Sequence, residues 1–429
     1  MARTIAPGEV EIKKMDLFSL DKTKRFNLER QVAALRIYED VFKPTLYAEI
    51  TLYDAFDIIN NFPIIGEESI ELSLQTSGSD KPVSYTFKVY SVSDQAREEN
   101  SKGSSYTLRC VSEEHLIDGF SRVVKSYDEE IHKIIADILY SYLKTKKGFK
   151  YEETKGTQQI VMPRMNPLMA IDFLRKRATS KKYKSNAFVF FENARGFNFY
   201  TLEKLFEMNV ANIGDKVFEY NPTVNFNDDR GKPESLSKTS FRNILYIDTP
   251  TRYDNSGKIR DGMLNNKVLN FDILTKKVTE KTFKFQESLS DFVFIDKNAF
   301  TQNSKQFYDK YDKDEGMRMF VPSDSSRPDS FIADTIGTKV AYFNMILQQK
   351  TIIQIYGDTT ITAGDVITCK FTSPTALNEN DRADTRMNGN YLIIQLAHDI
   401  YRIPNDKFSH RISLGLLKGN FSSSWLQEV

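Results

Sequence analysis

The four histidines are the side chains of this sequence best suited to metal binding or proton transfer. His115 and His132 lie in or near predicted helices, whereas His398 and His410 lie on or beside strands near the C-terminus. A metal held by His398 and His410 would need further converging ligands, and Asp399 points to the opposite face of its strand. We therefore expect the histidines to make structural hydrogen bonds.

Adjacent carboxylates could serve glycoside hydrolysis, which needs two carboxyl groups roughly 5 to 10 Å apart in a cleft, one with a raised pKa. Neighbouring acids in a chain usually diverge in space, so we expect a capping or solvated role for Glu129 and Glu130. The adjacent acids are Glu67 with Glu68, Glu113 with Glu114, and Glu129 with Glu130.

Other motifs with a known chemistry are absent from the sequence. It has no phosphate-binding glycine loop, no G-x-S-x-G elbow and no H-E-x-x-H helix. Asp312, Asp314 and Gly316 match a calcium loop poorly, because the glycine is one place early and Ser323 replaces the bidentate acid. The sequence therefore predicts no cofactor, no metal and no small-molecule substrate.

Cysteine content and charge exclude further classes of protein. Cys110 and Cys369 lie far apart without CxxC spacing, which predicts two buried free thiols. The 59 basic and 58 acidic residues give a net charge of +1, without the basic excess of a DNA-gripping protein. Residues 1–8 lack the pattern of a signal peptide, so we expect synthesis in the cytoplasm.

The elements that must position these residues begin with strands. Apolar and polar side chains alternate over 46–52, 70–74, 85–89 and 106–110, which predicts an antiparallel barrel or sandwich. The capping-box spacing of Ser126 to Glu129 then predicts a helix of about five turns through 131–143, ending by Gly148. A second helix is predicted to begin at Asn166-Pro167.

A hairpin of strands 187–191 and 197–200 completes a small α+β insert, and its alternating phenylalanines are expected to pack in a core. Turn-forming patches at 227–233 and 323–330 interrupt the next region. Strands return at 351–355, 366–371, 391–396 and 411–417.

The two ends of the chain share an order of elements. Gly66-Glu67 and Gly364-Asp365 each form a glycine-acid turn before the third-last strand of a four-stranded set. The match favours two related barrels, although any two four-stranded meanders look alike when only the order of their elements is compared. The predicted class is α+β, mainly β: barrels at 1–118 and 346–429, an α+β insert at 119–205, and a return segment with an irregular second insert at 206–345. Three such chains in a ring would present six similar barrel surfaces to a sixfold partner.

Four stretches of the sequence resemble the central hub protein of T4-type contractile phage baseplates, a family similar to the spike-base modules of type VI secretion systems. They are 35–41 with 44–52, 54 and 62–68; 122–127 with 131–139; 163–174 with 177–178, 188–193 and 196–200; and 355–358 with 363–367, 389–393 and 398.

The absent catalytic motifs predict a protein that is not an enzyme, and the resemblance implies a homotrimer with a central channel, located in the virion tail baseplate. One face of the ring would bind the tail tube protein and the other the spike or tail lysozyme protein; tape-measure and baseplate wedge proteins are further partners, and DNA passes only in transit. The family-motif residues are Gly66, Glu67, Gly357, Asp358, Gly364, Asp365 and His398. Two alternatives stay open: the hub of a bacterial contractile injection or type VI-like machine, and a tail-associated peptidoglycan hydrolase.

Overall fold

The computed structural model describes residues 8–62, 64–76, 79, 81–97, 103–210, 214, 216–220, 242–251, 255–288, 291–293, 298–299, 317–324, 332–347, 349–372, 384, 387–418 and 420–421. Strands predominate in these residues, and the largest of their sheets has 13 strands. The mainly β character expected from the sequence is confirmed.

The first part of the chain forms most of a barrel around its own apolar core. Its strands follow the order β3-β4-β7-β6-β5-β1, with antiparallel neighbours, and β2 pairs with β1. A short helix, α1, lies between β4 and β5. The bounds are β1 (Glu9–Phe18), β2 (Arg25–Asn27), β3 (Val32–Asp40), β4 (Tyr47–Asp54), α1 (Ile58–Asn61), β5 (Ser69–Thr76), β6 (Val83–Arg97) and β7 (Ser104–Val111).

The α+β insert follows and has a core of its own. The predicted hairpin is confirmed as β11 and β12, and its phenylalanines at 188, 190, 197 and 199 are buried in that core. The elements are α2 (Glu113–Phe120), β8 (Ser126–Glu130), α3 (Ile131–Asp137) with a π-helical turn over Ile138–Tyr142, β9 (Phe149–Tyr151), β10 (Thr157–Val161), α4 (Pro167–Arg177), β11 (Phe188–Asn193), β12 (Gly196–Thr201) and α5 (Leu202–Val210).

The predicted capping box at 126–129 is wrong. These residues form β8, whose backbone groups pair with β10 in an antiparallel ladder, so α3 begins only at Ile131. The helical run ends at Tyr142 and is shorter than the five turns predicted. The second helix begins at Pro167 as predicted, although the Asn166 amide donates to the backbone oxygen of Asp118 instead of capping the helix.

The second insert is more regular, in its described part, than the sequence indicated. A three-stranded sheet of order β16-β15-β18 packs against α8. The elements are β13 (Val217–Tyr220), β14 (Ile244–Thr251), α6 (Asn255–Arg260), β15 (Asn265–Asp272), β16 (Val278–Lys284), α7 (Phe285–Ser288), β17 (Asn298–Ala299), β18 (Met317–Ser323) and α8 (Ile332–Ile346). The turn patch at 227–233, most of that at 323–330, and the weak calcium-loop match at 312–316 lie outside the described residues.

The last strands complete two closed rings through one shared hairpin. They are β19 (Lys350–Tyr356), β20 (Val366–Phe371), β21 (Gly389–Ile403), β22 (Lys407–Leu417) and β23 (Asn420–Phe421). The hairpin of β21 and β22 pairs with β3 and β1 on the first barrel, and with β20 and β19 on the second. One ring therefore contains β1, β3–β7, β21 and β22, and the other contains β13, β14 and β19–β22, closed by a bridge between Glu219 and Asn243.

The hairpin can serve both barrels because β21 is 15 residues long. Ile400 and Phe408 at one end of the hairpin are buried in the first core, whereas Ile393 and Leu416 at the other end are buried in the second. Each predicted strand of both barrels is present at its predicted place. The domain boundaries at 118, 205 and 345, and a common origin of the barrels, stay predictions. No described helix is long and apolar enough to cross a membrane.

Candidate functional site at the junction of the barrels and the insert

The turn before β20 joins the second barrel to the α+β insert through Asp365. The buried carboxylate of Asp365 accepts two hydrogen bonds from the Arg195 guanidinium, at 2.8 and 2.9 Å, and one from Lys216 Nζ at 2.7 Å. Arg195 lies in the turn between β11 and β12. Such a bidentate pair fixes orientation as well as distance, so this contact sets the angle between the insert and the barrel.

Glu39 brings the first barrel to the same place. Its side chain points inward at the end of β3 and accepts the backbone N–H groups of Ala194, at 2.9 Å, and of Ala363, at 2.8 Å. The Asn193 amide donates to the carbonyl oxygen of Ala363 at 3.0 Å. Burial raises the pKa of Glu39 to about 7. One carboxyl group thus links strand β3, the insert hairpin and the turn before β20.

Two of the predicted motif glycines are required by the backbone at their turns. Gly364 has a φ of +92°, and a Cβ atom there would lie 2.9 Å from Cζ of Phe191. Gly66 has a φ of +94°. Both values fall in the left-handed region, where glycine is favoured.

The turn at Gly66 is held by Glu68 and not by the predicted Glu67. The Glu68 carboxylate is buried and accepts the backbone N–H groups of Ile65, Gly66 and Glu67, at 2.8, 3.0 and 3.1 Å. Glu67 itself is exposed to solvent. The apolar and polar pattern of the segment does not distinguish two adjacent glutamates, and the role of Glu67 as a family-motif residue stays a prediction.

His398 and His410 form a buried pair inside the fold. His398 Nδ1 lies 2.9 Å from His410 Nε2, which confirms the hydrogen bonding expected for these histidines. Burial lowers the pKa of both rings, that of His398 to about 4, so both are neutral at pH 7. In the part of the chain that the structure describes, no three side chains of His, Cys, Asp or Glu form a group that could hold a metal.

The remaining motif residues lie beside this pair. Gly357 packs directly against the His410 ring and donates its backbone N–H to the His410 carbonyl oxygen at 3.0 Å. Asp358 accepts hydrogen bonds from the backbone N–H and hydroxyl of Thr360, at 2.9 and 2.6 Å. The two cysteines are buried and free, as predicted.

A second link between the first barrel and the insert, which the sequence did not reveal, centres on the buried Glu192, whose carboxylate accepts the backbone N–H of Leu46 at 3.1 Å. Lys147 Nζ lies 2.6 Å from Oε2 of Glu114 and 2.6 Å from Oε1 of Glu192. Ser112 donates to Glu192 at 2.6 Å, and Thr145 donates to Glu114 at 2.5 Å. In the sequence Glu114 is one of two adjacent acids, and no local pattern indicates that a lysine is its partner.

Glu39, Arg195 and Lys216 were also missed as functional residues. For Glu39 a signal existed, since the acid follows Leu35 and Ile37 at an inward-facing position of a strand. Arg195 and Lys216 gave no such signal, because their partner is distant in the chain. The carboxyl groups of Asp365 and Glu39 accept hydrogen bonds from three segments, so the arrangement positions these segments against one another.

The protonation of Glu39 yields a measurable pH dependence. Its folded-state pKa of about 7 exceeds the ordinary value of 4.5, so the folded protein binds a proton that the unfolded chain lacks in this interval. The stabilisation that this bound proton contributes to the folded state is present at low pH and is lost as the pH rises through 7. Relative to Glu39→Gln, the wild type should lose about 1.4 kcal/mol of unfolding free energy between pH 6 and pH 8. Urea titrations of both proteins test this, and parallel pH curves would contradict it.

Comparison with known proteins addresses the fold. No protein-family model and no curated protein match the sequence. Among solved structures, the tail protein from Neisseria meningitidis MC58 superposes with a TM-score of 0.56 at 9% identity, covering 94% of this chain and 96% of that one. The 43 kDa tail protein of prophage MuSo2 from Shewanella oneidensis gives a TM-score of 0.55 at 8% identity, covering 95% and 98%. The chain therefore has the fold of these tail proteins, which is the fold that its resemblance to the baseplate hub family predicts.

Proposed function

We propose that this chain is the structural hub of a contractile tail baseplate and that three copies form a ring around a central channel. The observation that carries the proposal is the hairpin shared by the two barrels. Because β21 and β22 belong to both rings of strands, the barrels are held in a fixed relation within one chain. Three copies would then offer six barrel surfaces around the axis, which suits an adaptor between sixfold and threefold partners.

The partners follow from this geometry and from the family resemblance. One face of the ring binds the sixfold tail tube protein, and the other binds the threefold spike or tail lysozyme protein that pierces the cell. Tape-measure and baseplate wedge proteins are further neighbours. DNA crosses the channel in transit without being gripped, in keeping with a net charge of +1. The site of action is the baseplate of the virion tail.

We infer a purely structural role without catalysis. The buried carboxyl groups that a hydrolase could use are occupied by donors. Glu39 accepts two backbone N–H groups, Glu203 accepts the Ser185 hydroxyl and the backbone N–H of Val293, and Lys147 separates Glu114 from Glu192. A zymogram on bacterial cell walls should remain uncleared by the purified protein. Lysis would favour the peptidoglycan hydrolase instead.

The oligomeric state is the direct test of the hub. Native mass spectrometry and light scattering of the purified chain should give the mass of three copies, and electron micrographs should display a three-lobed ring with a central hole. A stable monomer or dimer would overturn the proposal. The hub of a bacterial contractile injection or type VI-like machine shares this architecture, and images of the particle that carries the chain separate the two.

A further inference from the structure

The second insert exposes an apolar surface on one face of its three-stranded sheet. In the sheet register, Phe271 of β15 lies between Val278 and Pro322, and Leu269 lies beside Phe320. Cross-strand neighbours on one face of a sheet are in contact range, so these side chains form a continuous surface. Phe320 is 77% exposed and Val278 is 59% exposed. The opposite face of the sheet packs on α8.

This surface continues into the turn between β15 and β16, which we call the hairpin tip (residues 273–277). Ile273 and Leu274 are 60% and 65% exposed. Lys276 and Lys277 follow them and, like Arg318 on the sheet face, form no ion pair with any residue that the structure describes. Two carboxylates lie beside these cations: Asp272, which accepts hydrogen bonds from Leu274 and Thr275, and Glu280, which pairs with Lys267 at 3.7 Å. The three cations outnumber these carboxylates, so the tip and the sheet face carry a basic rim.

The first barrel carries an apolar surface of opposite charge. A groove of about 390 Å³ lies between the segments 19–24 and 62–68. Leu20 and Ile65 form its exposed apolar walls, and Phe62 lies at its base. We call this the barrel groove. Its concave shape suits a narrow projecting segment such as a hairpin turn.

Three carboxylates and one cation line the barrel groove, and the exposed Lys22 of the same segment lies next to the lining. Asp21 and Glu67 are exposed along it, whereas Glu68 is buried and bonded to backbone N–H groups. Hydrogen bonds from Ser19 and Thr23 lower the pKa of Asp21 to about 2, so this group is ionised throughout the neutral range. Lys24 is the single cation among the residues lining the groove.

We propose that the hairpin tip of one chain docks in the barrel groove of a second copy of the same chain. Ile273 and Leu274 would pack between Leu20 and Ile65, while the basic rim faces the carboxylates of the groove. Two different surfaces of one chain that complement each other form a head-to-tail contact, and such contacts generate a closed ring when the rotation between successive copies closes. The inference rests on the proposed ring and names the surfaces that build it.

A membrane explains the same surface less well. A hairpin that dips its tip into a bilayer would leave Phe320 uncovered, because that residue lies on the sheet face away from the turn. A protein partner can cover the tip and part of the face together.

The test uses the full chain and its native mass at one concentration. Lys276→Glu, Lys277→Glu and Arg318→Glu combined, or Leu274→Ser alone, should convert the wild-type trimer into monomers. Asp21→Lys with Glu67→Lys should do the same, and all five charge reversals together should restore the trimer, because every contact then has opposite charges again. Circular dichroism verifies that each variant is folded.

A matched control reverses the charge of three lysines of the α+β insert and should leave the trimer unchanged. The substitutions are Lys144→Glu, Lys146→Glu and Lys150→Glu. If the wild type is trimeric and all tip and groove variants stay trimeric, the docking inference fails and the proposed ring stands. If the wild type is monomeric, the proposed function itself fails. Variants that stay trimeric but lose binding to phosphatidylserine vesicles would assign the tip to a membrane and overturn the inference.

Discussion

Replacing Gly357 by alanine is expected to destabilise the fold by about 3 kcal/mol or more. A Cβ atom at this position would lie 2.0 Å from Nδ1 and 2.1 Å from Cγ of His410. His410 is completely buried and its other ring nitrogen is bonded to His398, so the ring has no free space to enter. Urea denaturation at a fixed chain concentration measures the loss.

Gly119→Ala is the matched control for this substitution. Gly119 lies in α2, and no atom comes within 4 Å of a Cβ atom built on it. Alanine at an exposed helical position should stabilise by roughly 0.5 to 1 kcal/mol. A second control combines Gly357→Ala with His410→Ala, and the double variant should lose less stability than the sum of the two single losses. Additive losses would show that the ring is not the obstacle.

Replacing Lys147 by methionine is expected to cost about 3 to 5 kcal/mol, because it leaves two buried carboxylates without their shared cation. Lys147 Nζ lies 2.6 Å from each of Glu114 and Glu192, which are 4% and 1% exposed. Burial already raises the pKa of Glu192 in the presence of the lysine. Urea titration of the variant at pH 7.5 tests the expected loss.

The loss should shrink as the pH falls. Without the lysine, the buried carboxyl group of Glu192 binds a proton more readily in the folded state than in the unfolded chain, so acid stabilises the variant relative to the wild type. Lys182→Met is the control, since Lys182 pairs with Glu207 at 2.6 Å but is exposed, and surface pairs contribute at most about 1 kcal/mol. Equal losses in the two variants would contradict a special role for the buried network.

Much of the fold could be predicted from the sequence because strand formation leaves a local record. Alternation of apolar and polar residues identified the strands of both barrels, and a proline at the first helical position identified the start of α4. Local signals failed where a distant partner decided the outcome. Residues 126–129 have the spacing of a helix cap, yet pairing with β10 makes them a strand.

Residues of the candidate site could be predicted only where the backbone conformation is unusual or where the residue type breaks the apolar and polar alternation. Gly66 and Gly364 were identified as turn glycines, and their positive φ angles explain the residue type. The hydrogen bonds that Glu68 accepts could not be predicted, because only the tertiary structure determines which of two adjacent carboxylates is turned toward the backbone N–H groups.

The amino-acid sequence alone thus determined that the histidines form hydrogen bonds, that glycine-acid turns are present and that the architecture is mainly β. Each of these features depends on side-chain chemistry or on a period of two along the strand. The tertiary structure alone decided that β21 and β22 close both barrels, and that Glu39, Arg195 and Asp365 meet at one junction. The junction contacts of Glu39, Arg195 and Asp365 join residues more than 150 positions apart, and no local pattern encodes which distant strand or ion will be the partner.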